Sequence, residues 1–253
     1  MKMWMSVLAA GILGSPGAGT AQAAELIVWT STGPLTGVYE LAAGFEKATG
    51  NKVTVSFEVG AALTRKLEAN APVDLIAGGS ELIEDLIKKG KVVAGSNTPF
   101  GIAGLGISVK AGAPRPDIST VEGYKAVLLA AKSIGYSRGC SGIHAAEGIA
   151  RLGIAEQMKP KTVLTAGVPV AQYLAKGDFE IGIQQTNELV GIPGTDYVGP
   201  LPGYLNKPCP FNVGLIAVSK QQDLARAMIK FMTSQDGISL LQKGHMEPVR
   251  QGS

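Results

Sequence analysis

The sequence predicts an α/β protein of two lobes, each a mostly parallel sheet flanked by helices, joined by two extended crossovers. From residue 25 onward, short apolar runs alternate with segments of helical periodicity. Runs such as LIVWT at 26–30 are typical of strands buried on both faces. Because strands that alternate with helices form parallel sheets covered by helices, this order predicts the fold class. Two long extended segments, 101–110 and 212–219, interrupt the alternation, and the crossovers are predicted near residues 101–110 and 208–216.

Three βα units occupy the first part of the chain. Leu35, Val38, Leu41 and Phe45 recur at helical spacing, and Gly50 is placed to end that helix. The predicted strands are 26–30, 53–59 and 73–77, and the predicted helices are 34–49, 62–70 and 81–89. These units imply one parallel sheet with helices on its faces.

The same alternation restarts after the turn-rich segment 111–120. Further strands are predicted at 134–137, 162–165 and 180–185, and further helices at 120–132, 141–152, 168–176, 221–233 and 237–243. No repeat at a fixed period is present, which excludes a solenoid. We expect residues 24–104 and 214–253 to form lobe one and residues 105–213 to form lobe two. The hinge is then expected near Leu105 and Val213.

The first 23 residues have the pattern of a cleavable signal peptide. Lys2 is followed by a largely apolar stretch over 3–13, and Ala21 and Ala23 supply the small residues of a cleavage site. We therefore expect a mature protein from about Ala24, exported to the periplasm. No Cys follows the cleavage site, which excludes lipid attachment there. No later apolar run is long enough to span a bilayer, so no membrane insertion is expected after cleavage.

Composition excludes several classes of function. The formal net charge is +3 and no long basic run is present, so no nucleic-acid partner is expected. There are two His and no HExxH motif, which argues against a metal site of the common zinc type. The motifs GxGxxG and GxxxxGK[ST] are absent, so the sequence predicts no nucleotide or other cofactor.

The two cysteines, Cys140 and Cys209, leave two questions open. An exported protein can form a disulfide, but separation in sequence does not show whether the two sulfurs meet. His144 follows Cys140 by four residues, so a Cys–His catalytic pair on one helix face is an alternative. A small buried thiol beside an unrelated histidine is the simpler interpretation.

Four loops follow predicted strands at the edge where ligands bind in open α/β sheets. Three of them place small residues at helix N-termini, where free N–H groups and the helix dipole favour an anion. Arg138 adds a guanidinium that can grip a carboxylate or phosphate through two hydrogen bonds. Ordinary caps and turns would explain any one loop, but four at one cleft predict a site. The candidate ligand-binding residues are Ser31, Thr32, Gly60, Ala61, Arg138, Ser141, Gly142, Gln184 and Gln185.

Three segments resemble bacterial type II solute-binding proteins of the molybdate-binding-like family: LIVWTSTGPLTGVYELAAGFEKATGNKVTVSFEVG, LEANAPVDLIAGGSELIEDLIKKGKV and GDFEIGIQQTNEL. The resemblance extends over about residues 25–250. It implies the two-lobed periplasmic-binding-protein-like fold of type II. It also implies a monomer that delivers a small anionic ligand to an ABC permease.

Two departures from this family argue against molybdate or tungstate as the ligand. The resemblance implies a hydroxyl in the second loop and a Tyr in the late strand, but here Gly60 and Ala61 occupy the loop and Gln185 stands in the Tyr position. Arg138 is also foreign to the family's neutral oxyanion site. The segments YSRGCSG and GIQQTNELVGIPGTDYVGPLP look more like a divergent branch that includes periplasmic aconitate isomerase. That similarity implies a di- or tricarboxylate ligand.

Three functions therefore stand as hypotheses: a binding protein for a small carboxylate or oxyanion, an isomerase of aconitate type, and a molybdate-binding protein. The isomerase would need a base that removes a proton α to a carboxylate. The sequence does not single out this catalytic residue, and the candidates are Tyr136, Glu58, Glu188 and His144.

Overall fold

The protein is described by a computed structural model that covers residues 24–166 and 169–249. The signal peptide predicted at 1–23 lies outside the described residues. The strands are β1 Glu25–Thr30, β2 Lys52–Phe57, β3 Leu75–Gly79, β4 Thr98–Ala103, β5 Leu105–Lys110, β6 Ile134–Ser137, β7 Thr162–Thr165, β8 Ile181–Gln185, β9 Thr195–Pro200 and β10 Cys209–Leu215. The helices are α1 Leu35–Thr49, α2 Gly60–Glu68, α3 Ser80–Lys88, α4 Val121–Ala130, α5 Cys140–Arg151, α6 Ala155–Met158, α7 Val170–Lys176, α8 Thr186–Leu189, α9 Gln222–Met232 and α10 Gln235–Lys243.

The strands form two sheets of five, in the orders β2-β1-β3-β10-β4 and β7-β6-β8-β5-β9. In the first sheet β1 is parallel to β2 and β3, and β10 is antiparallel to β3 and β4. In the second sheet β6 is parallel to β7 and β8, and β5 is antiparallel to β8 and β9. The predicted fold class, two mostly parallel sheets flanked by helices, is confirmed.

Several element boundaries differ from the sequence prediction. The long segment 101–110 is two strands that belong to different sheets and meet at Gly104. The second extended segment is β10, which begins at Cys209 and ends at Leu215 rather than spanning 212–219. The sequence analysis missed β9, because TDYVGP contains no apolar run and lies at the edge of its sheet.

The chain passes between the sheets at two points that lie close together. The first is Gly104, whose carbonyl accepts a hydrogen bond of 2.9 Å from the Thr186 N–H. The second is the segment 201–208, in which the Asn206 Oδ1 accepts a hydrogen bond of 2.7 Å from the Leu105 N–H. Val213 pairs with Ala77 inside the first sheet. The lobe boundaries at 104/105 and 213/214, and a hinge near Leu105 and Val213, remain predictions about how the protein moves.

Burial of apolar faces holds the two layers together. One hydrophobic cluster includes Leu26 and Leu75 of the first sheet and Leu105 and Ile183 of the second. The C-terminal helix α10 packs on α1, where the Thr36 hydroxyl donates a hydrogen bond of 2.9 Å to the Gly244 carbonyl. The helices α1, α2, α3 and α5 directly follow parallel strands, so each of them begins at the edge where those strands end.

Candidate functional site: a cleft between the two sheets

A cavity of about 590 Å³ lies between the two sheets, at the carboxyl ends of their parallel strands. Its walls come from the segments after β1, β2, β3, β6, β7 and β8, together with Glu188 of α8 and Phe211 of β10. A cavity of this size holds a small organic anion or an inorganic oxyanion. Its position follows the rule that ligands bind in the crevice beyond the strand ends of open α/β sheets.

The structure brings six of the nine candidate ligand-binding residues to this cavity: Ser31, Thr32, Gly60, Arg138, Gln184 and Gln185. The other three, Ala61, Ser141 and Gly142, do not line it. Ala61 is exposed on α2. Ser141 and Gly142 are buried inside the first turn of α5, because this helix begins at Cys140. A Cβ at position 142 would lie 1.6 Å from the Ser137 carbonyl oxygen, so Gly142 allows close packing of the helix on β6.

Four helices of nine residues or more begin at the cavity, namely α1, α2, α3 and α5. None of the four has a side chain that hydrogen-bonds the N–H groups of its first turn. Of the three longer helices that begin elsewhere, α4 and α10 have such a cap. Uncapped N–H groups at a helix start carry partial positive charge and bind anions. The cleft therefore presents several anion-binding helix ends at one place.

Two charged side chains are found among the described residues that line the cavity, Arg138 and Glu188. Arg138 is exposed, so it lies at the rim of the cleft. Glu188 has only 7% of its surface exposed. Neither forms an ion pair with another described residue. The site thus combines a cation near solvent with a buried carboxyl group.

Burial raises the pKa of Glu188 from 4.5 to about 7. The ionised carboxylate loses more hydration free energy on burial than the neutral acid does, so the neutral form is favoured. The nearby Gln184 and Thr32 side chains can donate to the carboxylate, and they act against this rise in pKa. A carboxyl group with a pKa near 7 is able to take up and release a proton at neutral pH.

Three buried oxygen atoms on the wall contributed by the second sheet have no hydrogen-bond partner among the described residues. They are the Thr165 Oγ1, the Gln185 Oε1 and the Glu188 Oε1. Buried polar atoms are nearly always hydrogen-bonded, because an unpaired one costs free energy. Each of these atoms has less than 1 Å² of accessible surface, so it is covered by protein rather than open to the cleft.

Among the four candidate bases, only Glu188 lines the cavity. Glu58 forms an ion pair with Lys66, and Tyr136 packs against the hydrophobic core. The His144 Nδ1 donates a hydrogen bond of 3.0 Å to the Lys207 carbonyl, away from the cavity. The isomerase hypothesis is therefore left with Glu188 as its candidate base.

Several lining residues were missed by the sequence analysis, and Thr165 and Phe211 illustrate why. Thr165 is the last residue of β7, so the rule that located the other loops applied to it as well. Phe211 comes from β10, a strand far along the chain, and its ring would lie 2.5 Å from a Cβ at position 33. Gly33 is needed there because only a residue without a side chain lets this loop pass the ring.

Cys140 and Cys209 form a disulfide, with a Cα–Cα distance of 6.0 Å. The Cys–His catalytic pair and the free buried thiol are therefore both wrong. The ligating atoms of Cys140, Cys209 and His144 lie within 4.8 Å of one another, a spacing that a metal ion could use. Because the disulfide occupies both sulfurs, His144 is the single free donor of these three. The disulfide joins the start of α5, next to Arg138, to the first residue of β10.

Two sheets with a cleft between them are the architecture of a solute-binding protein. The chain belongs to the bacterial extracellular solute-binding protein family, whose sequence model matches residues 26–247. An aconitate isomerase from a Pseudomonas species is 28% identical over 230 residues, which cover 88% of each chain. A molybdate-binding protein of Azotobacter vinelandii is 28% identical over 237 residues, which cover 89% of each chain.

Solved structures agree with this family. A periplasmic molybdate-binding protein of Azotobacter vinelandii superimposes with a TM-score of 0.72 and 18% identity over 87% of this chain and 98% of that chain. The resemblance to molybdate-binding-like solute-binding proteins is thus confirmed. Within the described residues, we find no helix with the length and hydropathy that a membrane span requires.

Proposed function

We propose that this protein is a periplasmic solute-binding protein that captures a small di- or tricarboxylate in the cleft and delivers it to an ABC permease as a monomer. The observation that carries the proposal is the combination of an exposed Arg138 with four uncapped helix N-termini around one cavity. A guanidinium and several helix ends can bind two or three carboxylates at separate points. Sheets joined by two crossovers allow hinge closure over such a ligand.

Glu188 argues against the third hypothesis, a molybdate- or tungstate-binding protein. Molybdate and tungstate carry two negative charges on one small ion, so they cannot hold that charge at a distance from the buried Glu188 carboxyl group. The second loop also supplies no hydroxyl, because Gly60 and Ala61 stand there. A carboxylic acid is larger and can direct different groups toward Arg138 and Glu188.

Two further observations support the periplasm as location. The disulfide between Cys140 and Cys209 is stable in an oxidising compartment and rare in the cytosol. The family is described as extracellular in bacteria. The segment 1–23 supports export through its sequence alone.

A thermal-shift screen of residues 24–253, followed by titration calorimetry, tests the proposed ligand class. We expect tricarballylate, citrate, malate or succinate to raise the melting temperature, because a ligand that binds only the folded state stabilises it. Molybdate, tungstate, sulfate and phosphate serve as competitors in the same screen. Arg138→Ala should lose the carboxylate response, and Arg226→Ala, which removes an exposed arginine on α9, should retain it. Stabilisation by molybdate alone would refute the proposal.

Glu188 favours a second candidate function, a proton-shift isomerase of aconitate type. The Glu188 carboxylate would remove a proton from a carbon α to a carboxylate, the double bond would shift, and the same group would return the proton to the other end of the allylic unit. Arg138 and the helix ends would stabilise the negative charge that develops. No electron donor or acceptor is needed for this step.

Proton NMR in D₂O tests for turnover. Wild type is incubated with cis- or trans-aconitate, and conversion with deuterium incorporation at carbon would support the isomerase. Glu188→Gln should abolish conversion, whereas Glu156→Gln, an exposed position on α6, should not. Tight binding without conversion would exclude the isomerase and leave the binding protein.

A further inference from the structure

A covalent bond joins the two walls of the cleft, because Cys140 and Cys209 form a disulfide. Cys140 lies two residues after Arg138, begins α5 beside the second sheet and itself lines the cavity. Cys209 begins β10 of the first sheet and lies two residues before Phe211, which lines the wall formed by that sheet. In addition to the two crossovers of the chain, the disulfide is therefore a further covalent connection between the sheets, and it lies at the cleft.

The part of the second sheet that carries Arg138 is rigid. Arg138 and Gly139 alone separate β6 from α5, and the Gly139 N–H donates a hydrogen bond of 3.2 Å to the Ser137 Oγ. The first turn of α5 packs closely on β6 at Gly142, where a side chain would overlap the backbone of the strand. We call this unit of β6, Arg138 and α5 the Arg138 wall. The disulfide fixes its position relative to β10 of the first sheet.

The other contacts between α5 and the second crossover are weak by comparison. The Lys207 carbonyl accepts the hydrogen bond of His144, and the Lys207 Nζ lies 3.0 Å from the Glu147 Oε2. The Arg151 guanidinium lies 4.1 Å from the centroid of the Tyr204 ring. The ion pair and the arginine–tyrosine contact are exposed, and such contacts contribute little to stability. The disulfide is therefore the strongest constraint between α5 and this crossover.

We infer that the Cys140–Cys209 disulfide is a positioning element of the ligand site, which holds Arg138 at the distance from the first sheet that a bound carboxylate requires. This inference rests on the proposed function as a carboxylate-binding protein. A ligand that contacts Arg138 and the starts of α1, α2 and α3 bridges both walls, so its affinity depends on how firmly the walls are held together. Without the bond, the ligand must also order the Arg138 wall, and this cost lowers its affinity.

The same coupling acts in the opposite direction. If the disulfide raises the affinity for a ligand, the ligand raises the stability of the disulfide by the same factor. A dithiol reduces the bond by supplying two electrons and two protons, which leaves two cysteine thiols in the protein and a disulfide in the reductant. Because Cys140 and Cys209 are the only cysteines of the chain, an effect of the reductant on the protein belongs to this bond.

A cycle of two substitutions tests whether the bond acts through Arg138. Titration calorimetry with citrate and tricarballylate compares wild type, the Cys140→Ser/Cys209→Ser variant, Arg138→Ala and the combination of all three substitutions. We expect loss of the disulfide to weaken binding by about tenfold, as is usual for coupled sites. In the Arg138→Ala background the loss should be less than about twofold, because the side chain that the bond positions is already absent. Arg226→Ala, exposed on α9, is the control background and should keep the tenfold effect.

Circular dichroism in the near ultraviolet shows whether each variant is folded. An equal loss of affinity with and without Arg138, or no loss in either case, would overturn the inference and leave carboxylate binding intact. A variant without the disulfide that is unfolded at room temperature would also overturn it, because the bond would then be required for the fold rather than for the site. Binding of neither carboxylate to wild type would overturn the proposed function and this inference together.

The reciprocal measurement uses wild type alone. The fraction of reduced protein is determined by thiol labelling over a series of ratios of reduced to oxidised dithiothreitol, with and without saturating citrate or tricarballylate. The ligand should shift this equilibrium toward the disulfide by about tenfold, the same factor as in calorimetry. An equilibrium that the bound ligand does not shift would contradict the coupling.

Discussion

Replacing Glu188 by Gln should stabilise the ligand-free protein at alkaline pH and leave its stability nearly unchanged at pH 4. Burial raises the pKa of this carboxyl group from 4.5 in the unfolded chain to about 7 in the folded protein. Below pH 4.5 the group is protonated in both states and contributes no pH dependence. Between pH 4.5 and 7 the unfolded chain releases the proton while the folded protein keeps it, so unfolding becomes easier as the pH rises.

The size of the effect follows from the two pKa values. Each pH unit between them corresponds to about 1.4 kcal/mol, so the ionised group destabilises the folded protein by about 3 kcal/mol above pH 7. Gln has nearly the same shape and carries no charge at any pH. We therefore expect Glu188→Gln to exceed wild type by about 3 kcal/mol in free energy of unfolding at pH 8, which is a large part of the stability of a typical domain.

Urea unfolding at pH 4, 5.5 and 8, in a buffer without carboxylates, measures this difference by linear extrapolation. Fluorescence is a suitable probe because Trp29 is buried with 4% of its surface exposed. Glu156→Gln is the matched control and should behave as wild type at each pH. A variant that is less stable than wild type at pH 8, or a difference that does not change with pH, would refute the reasoning. Either result would mean that a donor or cation stabilises the Glu188 carboxylate.

Three further substitutions test other parts of the structure. Arg138→Ala should weaken carboxylate binding by about tenfold to 100-fold in calorimetry and leave the urea midpoint unchanged, because the side chain is exposed; an unchanged dissociation constant would remove Arg138 from the site. Replacing Cys140 and Cys209 by Ser should lower the free energy of unfolding by about 4 kcal/mol, since the disulfide closes a loop of 69 residues; a loss below about 1 kcal/mol would show that the cross-link constrains the unfolded chain little. Gly142→Ala should cost about 3 kcal/mol in urea unfolding, because its Cβ would overlap a carbonyl oxygen of β6. Gly95→Ala, where a Cβ meets nothing within 4 Å, is its control, and equal stability of these two variants would contradict the packing argument.

The fold could be predicted because its parallel strands are apolar and alternate with periodic helices. Most residues of β1 and β3 are buried, so the apolar composition of these strands identifies them. The edge strand β9 has no such signal, because none of its residues is fully buried. The two sheets have equivalent strand orders. The sequence does not show this equivalence as a repeat, since different side chains pack around the two sheets.

The site was predictable where it depends on topology and unpredictable where it depends on contacts between distant residues. The loops after β1, β2, β6 and β8 follow from the strand order, and all four reach the cavity. Ser141 does not line the cavity, because α5 begins at Cys140, one residue earlier than predicted, and Ser141 is buried inside its first turn. Arg138 is exposed at the rim and Glu188 is buried. This difference in burial depends on the packing of distant segments, so the sequence around each residue does not predict it.

The disulfide also determines what one cleavage by a protease can do to this protein. Cys140 and Cys209 close a covalent ring that contains β7, β8, β9 and the helices between them. A single cut in any exposed loop of this ring leaves both fragments attached to each other through the sulfurs. Such a nicked molecule migrates as one chain in electrophoresis without reductant and as two chains after reduction. The Arg138 loop and β10 therefore stay in one covalent molecule even after the backbone between them has been broken.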